Sequence, residues 1–211
     1  MALKGMRVAV LATDGVEQSE LTEPVATLRD AGASVELVSI QDGQIQGVNH
    51  SEKADKFDVD YHVIDVTPED YDAVMLPGGP ANADQMRQNQ HVQAFLRDMD
   101  RAGKPMAVIC HGPWELASSG LVAGRRLTSY PRIQQDIREA GGIWEDREVV
   151  VDDNWVTSRR PSDLPAFNRA MVTLFEDYRD KAGLVNPYDD TEHEGASHPG
   201  LETEDEARPR H

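Results

Sequence analysis

Met106-Ala107-Val108-Ile109-Cys110-His111-Gly112-Pro113-Trp114 is the stretch on which the reading of this chain turns. Four apolar residues suited to a buried strand lead into the only cysteine of the sequence, and a histidine, a glycine and a proline follow at once. That order spells a strand-to-helix turn with a nucleophile at its tip. The thiol would stand at the carboxyl end of a sheet strand. The helix opened by Gly112 and Pro113 would point its positive amino end back at the sulfur. A thiolate is favoured there, so Cys110 is expected to titrate below the free-thiol value of about 8.5. The competing reading is a buried cysteine that packs as a small hydrophobe. The adjacent histidine and the turn-forming glycine favour the reactive thiol.

Outward from this turn, apolar runs alternate with helical patterns, the mark of a parallel sheet with crossover helices. Strands are expected at 7–12, 34–40, 62–66, 73–76, 106–109 and 127–130, and helices at 19–31, 90–100, 113–119, 133–140 and 161–178. The polar, glycine-containing segment 42–56 suits a hairpin or an extended excursion. Residues 148–151 and 155–158 flank Asp152-Asp153-Asn154 and should form a second hairpin. The expected organisation is one α/β domain over residues 1–182 and an acidic extension over 183–211. That extension holds eight acidic side chains against Arg208 and Arg210, so it should contribute little to a core.

Composition narrows the function classes. A chain of 211 residues suits one compact domain. One cysteine excludes an internal disulfide. The first apolar stretch, Val8 to Ala12, is too short for a secretory signal, and no apolar run reaches the length of a membrane span. A reducing, cytoplasmic setting is expected, in which the sequon Asn49-His50-Ser51 arises by chance. The net charge of −17 argues against nucleic acid as a bound partner, because phosphate contacts need clustered Lys and Arg. No cofactor, metal or membrane partner is expected.

A cysteine hydrolase needs a base, a group that orients it and an oxyanion hole. Between His111 and the acidic extension there is no histidine. The base is therefore His111 itself or one of His50, His62 and His91 upstream, which argues strongly against a glutamine amidotransferase despite the similar sheet pattern. The loop Pro77-Gly78-Gly79-Pro80 closes a neighbouring strand at the same edge. The Gly79 and His111 N–H groups are assigned as an oxyanion hole, against the plainer reading of a tight turn. Glu17 follows the first strand, and is read either as a group that shares the thiol proton or as an ordinary acidic residue at a helix start.

Several segments carry a family resemblance: Asp14-Gly15-Val16-Glu17 with Glu20-Leu21, Leu76-Pro77-Gly78-Gly79, Gly103-Lys104-Pro105, Ile109-Cys110-His111-Gly112-Pro113, Thr128-Ser129-Tyr130-Pro131 and the run from Val151 to Arg159. Together they resemble the PfpI-type intracellular cysteine proteases, in the superfamily of the Parkinsonism-associated deglycase and glyoxalase III. The resemblance covers about Met6 to Tyr178. It implies a flavodoxin-like, class I glutamine amidotransferase-like three-layer sandwich with a mostly parallel sheet. It implies Cys110 as nucleophile, His111 as base and Glu17 as the carboxylate on the thiol. It further implies an acidic residue from an adjoining subunit that orients the histidine, matched here by Asp84, and hence a homo-oligomer, dimer or hexamer. Tyr130 matches a pocket-lining tyrosine; its other reading is a half-buried core aromatic.

Three functions follow. The first is a stress-related cysteine hydrolase that cleaves small peptides. The second is glyoxalase III or deglycase chemistry on dicarbonyl substrates, with Glu17 shuttling protons. The third is a non-catalytic redox sensor or chaperone-like stress protein, in which Cys110 oxidises reversibly. Asp84 with His111 favours the first.

Overall fold

The computed structural model describes residues 1–184, so the expected 183–211 extension lies, past Leu184, outside the described residues. In chain order the strands are β1 (Arg7–Leu11), β2 (Val16–Glu17), β3 (Ser34–Ser39), β4 (Gln44–Asn49), β5 (Glu52–Asp58), β6 (Tyr61–His62), β7 (Ala73–Leu76), β8 (Met106–Ile109), β9 (Arg126–Leu127), β10 (Ile143–Trp144), β11 (Val149–Asp152) and β12 (Trp155–Ser158). The helices are α1 (Gln18–Asp30), α2 (Pro80–Gln88), α3 (Gln90–Arg101), α4 (Pro113–Ser118), α5 (Gln134–Glu139) and α6 (Leu164–Ala182).

The main sheet runs β11-β12-β8-β7-β1-β3-β6. Every neighbouring pair is parallel except β11 with β12. Its middle is built from the continuous apolar runs, as a strand covered on both faces requires. Along β1 the side chains alternate between two cores. Val8 and Val10 meet Leu21 and Leu28 of α1 and Phe167, Met171 and Phe175 of α6. Ala9 and Leu11 meet Phe95, Leu96 and Met99 of α3, Leu116 of α4 and Ile137 of α5. This is the expected α/β three-layer sandwich.

The polar segment 42–56 forms the antiparallel hairpin β4-β5, turning at His50, whose φ is +60°. With β2 it makes a small second sheet over the carboxyl edge of the main one. Three expectations need correction. The strand expected at 62–66 is two residues of β6 followed by a 3-10 turn, because the His62 ring accepts the Ile64 N–H and curls the chain. The strand expected at 127–130 ends at Leu127, since the Thr128 N–H goes to the Thr157 hydroxyl and the Tyr130 N–H to the Cys110 carbonyl. Helix α2 was not expected at all: its composition is polar, and it starts on a proline next to two glycines. Among the described residues no helix is long and apolar enough to cross a membrane.

Candidate active site

Four strand ends converge. The order β12-β8-β7-β1 sets the turn after Ser158, the Cys110 turn, the Pro77-Gly78-Gly79 loop and the β1-to-α1 segment side by side at the carboxyl edge of the sheet. Cys110 has φ +62°, an uncommon conformation for a non-glycine residue. It is held there from both sides: its N–H donates to the Ser158 carbonyl at 3.1 Å, and its carbonyl accepts the Tyr130 N–H at 2.7 Å. Strain of this kind, about 1–3 kcal/mol, persists only where neighbours impose it. Gly78 makes the approach of the next loop possible, because a Cβ there would overlap both Cys110 Cβ and Glu20 Oε2. Gly79, at φ +95°, turns the same loop into α2.

The sulfur lies 3.2 Å from His111 Nδ1. The imidazole stacks on Tyr130, with centroids 4.7 Å apart at 25°, and Trp114 closes its other side at 5.8 Å. Burial, aided by the Arg132 charge, lowers the His111 pKa to about 4, so the ring is a neutral base at physiological pH. Its Nε2 has no hydrogen-bond partner among the described residues. The Gly79 and His111 N–H groups, assigned to an oxyanion hole, both reach the sulfur in this arrangement.

The carboxylate against the thiol is Glu20, not Glu17, and that expectation is corrected. Glu20 sits in the first turn of α1 and faces inward with Leu21, Pro24 and Leu28. It hydrogen-bonds the thiol, and its Oε2 accepts the Gly78 N–H at 2.9 Å. Its Oε1 is buried without a partner. Burial pushes this carboxyl up to about 8, with Glu17 adding to the rise. Glu17 belongs to β2, whose pairing with β4 turns its side chain toward the hairpin, where it accepts the His50 N–H at 3.0 Å. It still lines the cavity. The expected low thiol value is also overturned. Burial pushes the Cys110 thiol up and the Glu20 carboxylate pushes it further, against the two N–H groups. Helix α4 has only six residues, too short a dipole to reverse this.

Asp84 lies on α2 and does not meet His111 within the chain. Its Oδ1 pairs with Arg87 Nη2 at 2.7 Å, and Arg87 in turn covers the Trp114 ring. Tyr130 stands at the rim, 36% exposed. The cavity over the sulfur measures about 640 Å³ and also takes in His50, Arg132 and Arg160. Of the three upstream histidines, His50 lines the cavity and His62 and His91 do not. Glu20 had a readable signal: a lone acidic residue on an otherwise apolar helix face, one turn beyond Glu17. Arg132 and Arg160 had none. Among the described residues no group of three or more His, Cys, Asp or Glu side chains is placed to hold a metal.

Residues 6–174 match the model of the DJ-1/PfpI family. The chain is 42% identical over 173 residues to a Pyrococcus furiosus protein named Deglycase PfpI, covering 81% of this chain and all of that one. It is 41% identical over 169 residues to the Escherichia coli Protein/nucleic acid deglycase 2, covering 80% of this chain and 96% of that one. Among solved structures, a two-domain Anabaena variabilis protein with DJ-1/ThiJ/PfpI-like and ferritin-like domains superposes with TM-score 0.74 at 31% identity, covering 80% of this chain and 47% of that one.

Proposed function

The chain belongs to the DJ-1/PfpI family, and from that premise we propose that it is a cysteine-dependent deglycase, hydrolysing adducts between dicarbonyls and amines. One observation carries this reading. The thiol has a buried, protonated carboxyl against it as well as a neutral histidine, which gives carbonyl chemistry a donor and an acceptor at the same atom. Sequence alone put peptide cleavage first, on the strength of Asp84 beside His111; within the chain Asp84 is engaged by Arg87 instead.

For an adduct R–NH–CH(OH)–CO–CH3, Cys110 passes its proton to His111 as sulfur bonds to the carbinol carbon. The C–N bond breaks, and Glu20 protonates the departing amine. The resulting hemithioacetal gives its C–H proton to the Glu20 carboxylate, which returns it to the adjacent carbonyl carbon as the hydroxyl proton shifts to the neighbouring oxygen, leaving a thioester of a 2-hydroxy acid. Water adds to the thioester and gives its proton to the Glu20 carboxylate, and sulfur leaves with the bonding pair and recovers its proton from His111. The net change is adduct plus water to amine plus 2-hydroxy acid.

The test is release of N-acetyllysine from its methylglyoxal adduct by wild type, Cys110→Ser and Glu20→Gln, alongside a panel of short peptides. Amine release that is abolished in Cys110→Ser and lowered about 10²-fold or more in Glu20→Gln is expected. Peptide cleavage without amine release would favour the peptidase reading. Two N–H groups gathered at the sulfur and the unpaired His111 Nε2 support that reading as the second choice.

A further inference from the structure

The cavity over Cys110 contains two cations that neither the fold nor the proposed chemistry uses. Arg132 lies in the 3-10 turn after Tyr130, and Arg160 just beyond β12. Both line the cavity. Near them on the chain, Arg125 pairs with Asp152 and Arg159 with Asp163. The side chains of Arg132 and Arg160 make neither an ion pair nor a hydrogen bond among the described residues, and Arg160 Nε is buried without a partner. Arg132 stands exposed at the rim, where water can solvate it, so the unmet donor is Arg160 Nε, and a buried unpaired donor costs free energy unless a ligand satisfies it.

The charge balance of the cavity points the same way. Its acidic residues are Glu17 and Glu20. Glu20 is pushed up to about 8 and is uncharged at neutral pH, while Glu17 accepts the His50 N–H. Two guanidinium charges therefore face one carboxylate, in a protein of net charge −17. Arg132 and His111 line the same cavity, and the Arg132 charge adds to the lowering of the His111 pKa, so its field reaches the site.

We propose that Arg132 and Arg160 form an anion subsite, so that the substrate of Cys110 is a small electrophile bearing a carboxylate or phosphate group near its reactive carbon. A guanidinium presents a planar fork of donors that matches either group. The inference rests on the reading of Cys110 as the nucleophile and narrows its substrate class, but it is tested without turnover.

The experiment compares alkylation of Cys110 by iodoacetate, which is anionic, and iodoacetamide, which is neutral. In each case sulfur bonds to carbon, iodide leaves with the bonding pair, and the thiol proton goes to solvent. The iodoacetate-to-iodoacetamide rate ratio should be about tenfold higher in the folded protein than in the urea-unfolded chain, and should fall as salt rises. Arg132→Gln with Arg160→Gln should return it to the unfolded value while the iodoacetamide rate changes less than about twofold, and the lysine variants should keep part of the preference. If the double variant does not fold, Arg132→Gln alone should lower the ratio. Acetate and inorganic phosphate, added as competitors, tell a carboxylate site from a phosphate site. A ratio equal to that of the unfolded chain, or one that neither the substitutions nor either competitor moves, overturns the proposal. Failure of the amine-release assay would leave this ratio untouched.

Discussion

At the scale of single residues, the site is a proton-sharing cluster buried at a strained turn. The turn was legible in the sequence because its parts are adjacent: an apolar run, then Cys110, His111 and Gly112. The proton partner was harder to read, because Glu17 and Glu20 stand one helical turn apart and only the pairing of β2 with β4 decides which faces the sulfur. Iodoacetamide labelling across pH should give a midpoint for Cys110 above the free-thiol value, since burial and then Glu20 raise it. Glu20→Gln should lower that midpoint; a midpoint unchanged by the substitution would separate the two groups. Stability follows from the same carboxyl. Raised from 4.5 to about 8, it binds its proton more tightly in the folded state, so its contribution is present below about pH 4.5 and is lost as pH rises toward about 8. His111 has the opposite sign, but its contribution changes only between about pH 4 and 6.5. Between pH 6.5 and 8 the thermal midpoint of wild type should therefore fall. Glu20→Gln should reduce that slope without abolishing it, because buried Glu115 adds one of the same sign.

At the scale of elements, helix α4 carries a cost that its position explains only in part. Glu115 is fully buried, neither of its oxygens has a partner, and burial pushes its carboxyl well above the usual range. The residue stands on the helix behind the elbow and does not line the cavity. Helix α4 packs against α2, α3 and α5, and α2 is a helix the composition concealed. Nothing in the structure explains why an acid stands there. Glu115→Met keeps similar volume and removes the unpartnered polar atoms, so it should stabilise the fold by about 1–3 kcal/mol. For a domain of this size that is a rise of roughly 2–4 °C in the thermal midpoint per kcal/mol, readable by calorimetry. A fall in the midpoint would mean that Glu115 has a partner outside the described residues. Elements built on continuous apolar runs or on turn chemistry, such as β7, β8 and the β11-β12 hairpin, were legible for the reason that Glu115 was not: their signals are local, whereas burial of a polar residue is decided by a distant helix.

At the scale of the whole molecule, the question is what stands at His111 Nε2, which has no hydrogen-bond partner among the described residues. For His111 Nδ1 to take the thiol proton, the ring must carry its own proton on Nε2, and a carboxylate at Nε2 would fix that tautomer. No such group stands there among the described residues. Asp84 is half-exposed on α2, tied to Arg87, whose guanidinium covers Trp114 beside the histidine. We propose that Asp84 of a second copy completes the site, as the family resemblance implies, so that the active unit is at least a dimer. Asp84→Ala removes a solvent-exposed ion pair, so it should cost at most about 1 kcal/mol of stability while lowering turnover markedly. Mixing equal amounts of Asp84→Ala and Cys110→Ala subunits under exchange makes the sharper test. In a two-fold dimer half of the assemblies are mixed, and one of the two sites in each unites an intact Cys110 with an intact Asp84. About a quarter of the wild-type rate should return. A mixture that stays inactive while its subunits exchange, or a monomer with full activity, would place the partner of His111 elsewhere.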